Sequence, residues 1–327
     1  MATAPLARIH RGTPRTLARL AGRLRAGELV AVPTETVYGL AANALDARAC
    51  RKIFRAKGRP LHDPLIVHLP SVAQLSLVAE PSSAALKLAR HFWPGPLTLV
   101  LPKKAVVPAI VSAGRPSVAV RVPAHPLFRR LLRLAGVPLA APSANPFGYV
   151  SPTTAGHVRD GLGRKIRDIL DGGPSGIGLE STIVDLRDAR RPRILRPGAI
   201  TREEVARVLG CAVGAAPVAK PSAGAQLAPG LLARHYSPRT RVKLALRLGT
   251  ADNPRHAYIY LRRPPGPRRD NVFWLDPRGR LRGAARRLFA TLRAVDQQGF
   301  AAMHVELAAG DGLAVAINDR LRRAAAR

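Results

Sequence analysis

Two kinds of apolar pattern alternate along this chain. Short runs at residues 28–32 (ELVAV), 65–69 (LIVHL), 97–101 (LTLVL) and 117–122 (SVAVRV) have the length and aliphatic content of buried strands. Between them, apolar residues recur every three or four positions. Leu17, Leu20, Ala21 and Leu24 predict a first helix over 16–27, ended by Gly27, and similar spacing predicts helices over 47–55, 82–92 and 126–134. A short strand at 139–141 leads into a polar loop. A helix near 153–161, strands at 166–170, 181–185 and 193–195, and a helix over 201–209 complete the series. This alternation predicts an α/β domain over 15–209, a mixed twisted sheet with helices packed on it, behind a loose N-terminal extension at 1–14.

The pattern fades after residue 209. Residues 210–230 are nearly all Ala, Gly, Pro, Val and Ser, and the stretch runs into PGLLARHYSP at 229–238, so 210–240 reads as a linker that can serve as a lid. Strands at 242–246, 256–261, 272–275 and 301–307, with helices at 280–298 and 312–323, predict a second, smaller Rossmann-like α/β domain over 241–327. No run of 18 apolar residues occurs, so no membrane-spanning helix is expected. Cys50 and Cys211 stand far apart without CxxC spacing, which argues against a zinc site or a disulfide framework. A reducing, cytoplasmic setting is the expectation.

Charge sharpens the picture only in part. Lys and Arg number 53 against 20 Asp and Glu, a formal net charge of +33. Such a surface favours anionic ligands, nucleotides or nucleic acid. The excess is dominated by arginine in a chain rich in Ala and Pro, so a general residue-usage bias explains it equally well. Charge alone locates no site.

Familiar nucleotide and hydrolase signatures are missing. The chain has no G-x-x-x-x-G-K-[ST], no G-x-G-x-x-G between strand and helix, no G-x-S-x-G elbow and no H-E-x-x-H. In their place stand short polar insertions after strands, where ligands of α/β folds sit. PTETVYGL at 33–40 packs two hydroxyls around the carboxylate of Glu35. KGRPLHDPL at 57–65 sets Lys57 and Arg59 on a loop, fit to grip phosphate or carboxylate oxygens. His68 lies inside an apolar strand. Arg121 does too, and a buried guanidinium requires a carboxylate partner, from the protein or from a substrate. Ser143, Asn145, Ser181 and Thr182 add neutral donors with no activating base beside them, and Arg196 adds a fixed cation. Together they describe a cavity that orients anionic reactants without attacking them covalently.

PTETVYGLAANALD, KGRPLHDPLIVHL, FWPGPLTLVL, SVAVRVPAHP, APSANPFGYVSPT, LESTIVD, RPGAI and PGLLARHYSP occur in one order and spacing. In this the chain resembles the L-threonylcarbamoyladenylate synthases, the YrdC-type family, in its longer two-domain form. The resemblance runs from about Leu17 to Pro238. It implies synthesis of L-threonylcarbamoyl-AMP and pyrophosphate from L-threonine, bicarbonate or CO2, and ATP with Mg2+, for the t6A base of ANN-decoding tRNAs.

Carried over residue by residue, the resemblance implies threonine contacts from Thr36, His68, Arg121, the main chain of Ala141, and Ser181. It implies ATP contacts from Arg59, Asp63, Ser117, Ser143, Asn145, Ser151, Arg196 and Tyr236. Lys57, Arg59 and Arg196 would offset phosphate charge in the transition state, and PGLLARHYSP would close over the cavity. Glu35 is open: it holds the loop, or it positions Mg2+ or the threonine ammonium. No side chain of the protein itself is expected to ligate a metal.

Two departures stand out. Asp63 replaces an Asn common in the family's loop, and Leu232 with Ala233 replaces a Lys-Tyr pair in the lid, leaving Arg234, His235 and Tyr236. A tRNA or a downstream threonylcarbamoyl-transferase complex is a possible partner. The competing reading is a basic double-stranded RNA or tRNA-binding module without catalysis. It has no use for a hydroxyl-lined pocket, a buried Arg121 or a lid. A carbamoyl-phosphate enzyme of the hydrogenase-maturation kind would need accessory domains and zinc-finger cysteines that are missing.

Overall fold

The computed structural model describes residues 5–215, 226–232 and 235–326. The chain opens with β1 (Arg8–Arg11), α1 (Pro14–Arg25), β2 (Val30–Val32), β3 (Gly39–Asn43), α2 (Ala47–Lys57) and β4 (Ile66–His68). Next come α3 (Leu75–Val78), α4 (Ser83–Phe92), β5 (Leu97–Pro102), β6 (Ser117–Arg121), α5 (Pro126–Ala135) and β7 (Leu139–Ala140). α6 (Ala155–Leu162), β8 (Asp168–Asp171), β9 (Thr182–Asp185), β10 (Arg193–Arg196), α7 (Arg202–Leu209) and β11 (Gly214–Ala215) complete a mixed sheet of order β1-β8-β2-β3-β7-β4-β6-β5-β9-β10-β11.

Helix ends follow local chemistry. Thr13 caps α1 by accepting from Thr16 N, with Pro14 in the first turn, and the stripe Leu17, Leu20, Ala21 and Leu24 is buried. Truncating Leu20 to Ala would cost about 2–5 kcal/mol. Asp46 caps α2, and Gly58 ends it with φ +65°, a left-handed turn that swings the chain from Lys57 to Arg59. Alternation sorts the strands between two layers. Val30 and Val32 of β2 pack with Leu17, Leu20, Phe128 and Leu131 of α1 and α5, whereas Leu40 and Ala42 of β3 face the core that includes Ile53 and Phe54 of α2.

Three expectations are corrected here. Residues 8–11 are not part of a loose extension: β1 pairs in parallel with β8. RIHR lacks an apolar pattern because main-chain bonds and the buried Asp168 hold it, the latter touching His10, Arg19 and Arg23 at 2.7–3.3 Å. GLAAN at 39–43, where no strand was expected, is β3, antiparallel to β2 and β7. Within the supposedly irregular linker, Gly214–Ala215 extends the sheet beside β10.

The second domain contains β12 (Arg241–Ala245), β13 (His256–Arg262), β14 (Val272–Asp276), α8 (Leu281–Asp296), β15 (Ala302–Glu306) and α9 (Leu313–Ala325). Its four strands are all parallel, in the order β12-β15-β13-β14. Leu288, Phe289 and Leu292 of α8 and Ile317 and Leu321 of α9 share one apolar cluster with Val37, Val150, Leu179 and Tyr236. The second domain therefore packs directly behind the loops of the first. Arg293 of α8 stacks on Tyr149 and donates to the carbonyls of Val150 and His157 at 2.7 and 2.8 Å. Among the described residues no helix is long and apolar enough to cross a membrane.

Candidate active site

Strand ends converge on one cavity. Parallel pairing of β4 with β6 sets His68 opposite Arg121 at their C-terminal ends, and β7 delivers Ala141 beside them. The segment after β2 folds on itself. Thr34 Oγ1 accepts from the N–H groups of Thr36 and Val37 and donates to Val37 O at 2.6 Å, a side-chain-built turn that holds the Thr36 hydroxyl inward, 2.8 Å from Thr34 Oγ1.

Arg121 is buried, 3% exposed, and fully oriented. It donates from Nε to Gly95 O at 3.1 Å and from Nη1 to Thr36 Oγ1 at 2.9 Å, and Nη2 forms an ion pair with Glu35 Oε1 at 2.6 Å. The carboxylate its burial required is Glu35. Burial pushes the Glu35 acid upward, but the Arg121 charge and hydrogen bonding, with backbone donors, outweigh it and hold the group below the usual carboxylate range. His68 is pushed down to about 3 by burial, with the Arg121 charge adding to the effect, so it is neutral at physiological pH.

Arginines shape the other end. Arg59 donates to the carbonyls of Asp63 and Pro64 at 2.9 and 2.7 Å and pairs with Asp63 Oδ2 at 2.9 Å. The negative charge that departs from the family pattern is thus matched by Arg59. Burial raises the Asp63 acid while Arg59, Lys57, His62 and Arg196 act against it. Arg196 donates to Ser181 O and Ser181 Oγ, both at 3.1 Å, and to Pro229 O at 3.2 Å; Ser181 Oγ also bonds Thr98 Oγ1 at 2.7 Å.

Of the residues expected at the site, Thr36, Arg59, His68, Arg121, Ala141, Ser143, Ser181, Arg196 and Tyr236 all line this one cavity. Ala141 N–H bonds Ile66 O at 3.0 Å. Five other expected residues stand behind the wall. Lys57 donates to the carbonyls of Ser143 and Asn145, Asn145 Nδ2 to those of Pro146 and Tyr149, and Ser151 Oγ to Glu180. Asp63 backs Arg59, and Ser117 is buried at the start of β6. Burial, then the nearby Arg59, holds the Lys57 ammonium well below its ordinary range. Its geometry is that of a brace for the 143–145 loop.

The linker forms the remaining wall. Pro229, Gly230, His235 and Tyr236 face the cavity, which measures about 500 Å³ including its mouth. Tyr236 has φ +61°, is buried, stacks on Phe289 at 5.4 Å and lies edge-on to His235 at 4.1 Å. Gly230 is required: φ is +78°, and a Cβ there would lie 2.7 Å from the Tyr236 hydroxyl. Leu232 O accepts from Arg323 Nη1 of α9 at 2.6 Å. The other lid positions singled out, Ala233 and Arg234, lie outside the described residues. Sequence reasoning missed Glu180, a cavity-lining acid inside the very LESTIVD motif it quoted, and Thr98, whose place in an apolar strand gave no signal.

Comparison with known proteins agrees with this geometry. A family model for Sua5, YciO and YrdC proteins, described as telomere recombination, matches residues 23–198, and one for the threonylcarbamoyl-AMP synthase C-terminal domain matches 200–326. Threonylcarbamoyl-AMP synthase of Pyrococcus abyssi is 43% identical over 319 residues, 93% of this chain and 92% of that protein. The Bacillus subtilis enzyme of the same name is 39% identical, covering 94% of this chain and 92% of its own length. A crystal structure of P. abyssi Sua5 complexed with L-threonine superposes with a TM-score of 0.88 at 40% identity, covering 99% of this chain and 98% of that one. By two domain models and near-full-length relatives, the chain belongs to the threonylcarbamoyl-AMP synthase family in its two-domain form.

Proposed function

We infer that this protein makes L-threonylcarbamoyl-AMP and pyrophosphate from L-threonine, bicarbonate or CO2, and ATP. One observation carries the reading: a single cavity joins an amino-acid end, built on Thr36, His68 and Arg121, to a phosphate end, built on Arg59 and Arg196, with Ser181 between them. A noncatalytic RNA-binding module has no need of such a cavity.

In the reaction, Arg121 takes the threonine carboxylate, with Glu35 fixing the guanidinium from behind. We assign the ammonium and hydroxyl to the Ala141 carbonyl and to the His68 ring nitrogen that does not bond Ile66 O. The amine, once it has lost a proton, adds through its lone pair to the carbon of CO2. A carbamate oxygen then attacks the α-phosphorus of ATP, the bond to the β,γ-diphosphate breaks, and pyrophosphate leaves. Arg59 and Arg196 meet the charge that grows on the phosphates. The carbamate decomposes in water, so enclosure by Pro229, Gly230, His235 and Tyr236 protects it. Pro229, Gly230, His235 and Tyr236 are the part of the wall we assign to move outward for ATP entry and close again.

The carboxylates around the cavity are engaged by arginines, Glu35 by Arg121, Asp63 by Arg59 and Glu180 by Arg320, and no group of three metal-ligating side chains exists among the described residues. Mg2+ is therefore assigned to ATP's own phosphates, as part of the substrate. We further assign the product to t6A formation on ANN-decoding tRNAs through a downstream threonylcarbamoyl-transferase complex, in the cytoplasm where ATP and tRNA meet. The test is pyrophosphate release with the nucleotide product identified by mass. Release that needs threonine and bicarbonate, with a threonylcarbamoyl-AMP mass, is expected; release indifferent to threonine sinks the reading.

A further inference from the structure

Glu180 is the only acidic side chain lining the cavity among the described residues. It precedes Ser181 on the segment entering β9, within the wall that holds Arg196 and Tyr236. A cavity built to take a triphosphate is a hostile place for an unmatched carboxylate, because like charges in a partly dry site repel strongly. The match comes from the other domain. Arg320 of α9, fully buried and 140 residues away in sequence, donates from Nε to Glu180 Oε2 at 2.8 Å, while Glu180 Oε1 accepts from Ser151.

Arg320 does more than balance one charge. Its guanidinium carbon lies 5.3 Å from the centre of the Tyr236 ring, over the lid, and Nη1 pairs with Asp319 at 2.6 Å. One turn along, Arg323 binds Leu232 O at 2.6 Å and accepts from His235 N at 3.3 Å. A single face of α9 therefore holds both the cavity's acid and the linker that walls it.

We propose that Arg320 is a positioning residue for the nucleotide: by neutralising Glu180 and bracing Tyr236 it makes the second domain an integral part of the phosphate end of the cavity. This rests on the reading that ATP occupies that end. Arg320 touches neither substrate nor reacting atoms in this arrangement; it acts through Glu180 and Tyr236.

The experiment measures kcat and the KM values for ATP and threonine by pyrophosphate release, with thermal unfolding alongside, in R320M, R320K and the double variant R320M/E180Q. R320M exposes the carboxylate and is expected to raise KM for ATP tenfold or more, with KM for threonine changed less than about twofold. The double variant removes the orphaned charge and recovers most of that loss. R320K keeps the charge but loses the planar stack on Tyr236, and is expected to raise KM for ATP about threefold. Should R320M fail to fold, R320K and the double variant decide. Three results overturn the proposal: an unchanged KM for ATP in folded R320K and R320M, equal rises in both KM values, or no recovery in the double variant. A wild-type protein that releases no pyrophosphate from ATP with threonine and bicarbonate sinks the synthase reading instead, which keeps the two failures apart.

Discussion

The two ends of the cavity are built in different ways. The end proposed for threonine comes entirely from the first domain: β4, β6 and the segment after β7 present His68, Arg121 and Ala141, and the Thr34 turn fixes Thr36. The end proposed for the phosphates is assembled from four separate places, the loop after α2 with Arg59, β10 with Arg196, the linker with Gly230 and Tyr236, and α9 with Arg320 behind them. A preformed pocket orients its ligand at little entropic cost, whereas a composite one can open to admit a bulky nucleotide and still exclude water when shut. Small, rigid threonine suits the first, and ATP the second.

The comparison breaks most readily at Arg121. Arg121→Ala is expected to lower threonine affinity at least about a hundredfold by calorimetry. Because it strands the half-buried Glu35, it also lowers the unfolding temperature, and adding Glu35→Gln restores stability without restoring threonine binding. Unchanged threonine affinity would remove Arg121 from the site. On the opposite side, Arg196→Met is expected to cut kcat/KM for ATP by about a hundredfold while threonine affinity shifts less than about threefold. Equal losses for both substrates would mean the ends are one unit.

Gly230→Ala probes the composite wall alone, since it strains a left-handed residue and drives a methyl towards Tyr236 and Arg196. KM for ATP should rise about tenfold with threonine binding unchanged. Acid offers a gentler probe. His68 stays neutral down to about pH 3 and His157 to about 4, both chiefly because they are buried. An unfolded histidine takes its proton near 6.5. The unfolded chain thus binds more protons below that value, and stability, full above pH 6.5, falls as pH drops towards 4. Urea unfolding across this range checks it, and His68→Gln should flatten the slope. The smallest effect belongs to Asp63→Asn, which leaves Arg59 its two carbonyl partners; KM for ATP should change less than about threefold.

Much of the cavity lining was legible in the sequence because burial makes a charge conspicuous. Arg121 inside SVAVRV demanded a carboxylate, although nothing local revealed that Glu35, 86 residues earlier, would supply it. Lys57 illustrates the reverse: a cation beside Arg59 reads as a phosphate ligand, and only the fold shows it turned onto the Ser143 and Asn145 carbonyls. Strands held by pairing more than by apolar alternation, β1 and β3, escaped pattern reading. Arg320 was illegible, one arginine in RLRRAAAR within a chain saturated with them; its meaning lies in the acid it meets across the domain boundary.

Tyr236 carries a last consequence. A tyrosine held at φ +61° is strained by roughly 1–2 kcal/mol, which its stacking on Phe289 and the guanidinium of Arg320 must offset while the wall is shut. Any outward swing that lets this residue relax recovers the strain. Under the proposed lid motion, the shut arrangement would resemble a loaded spring, with the Phe289 and Arg320 contacts as its catch.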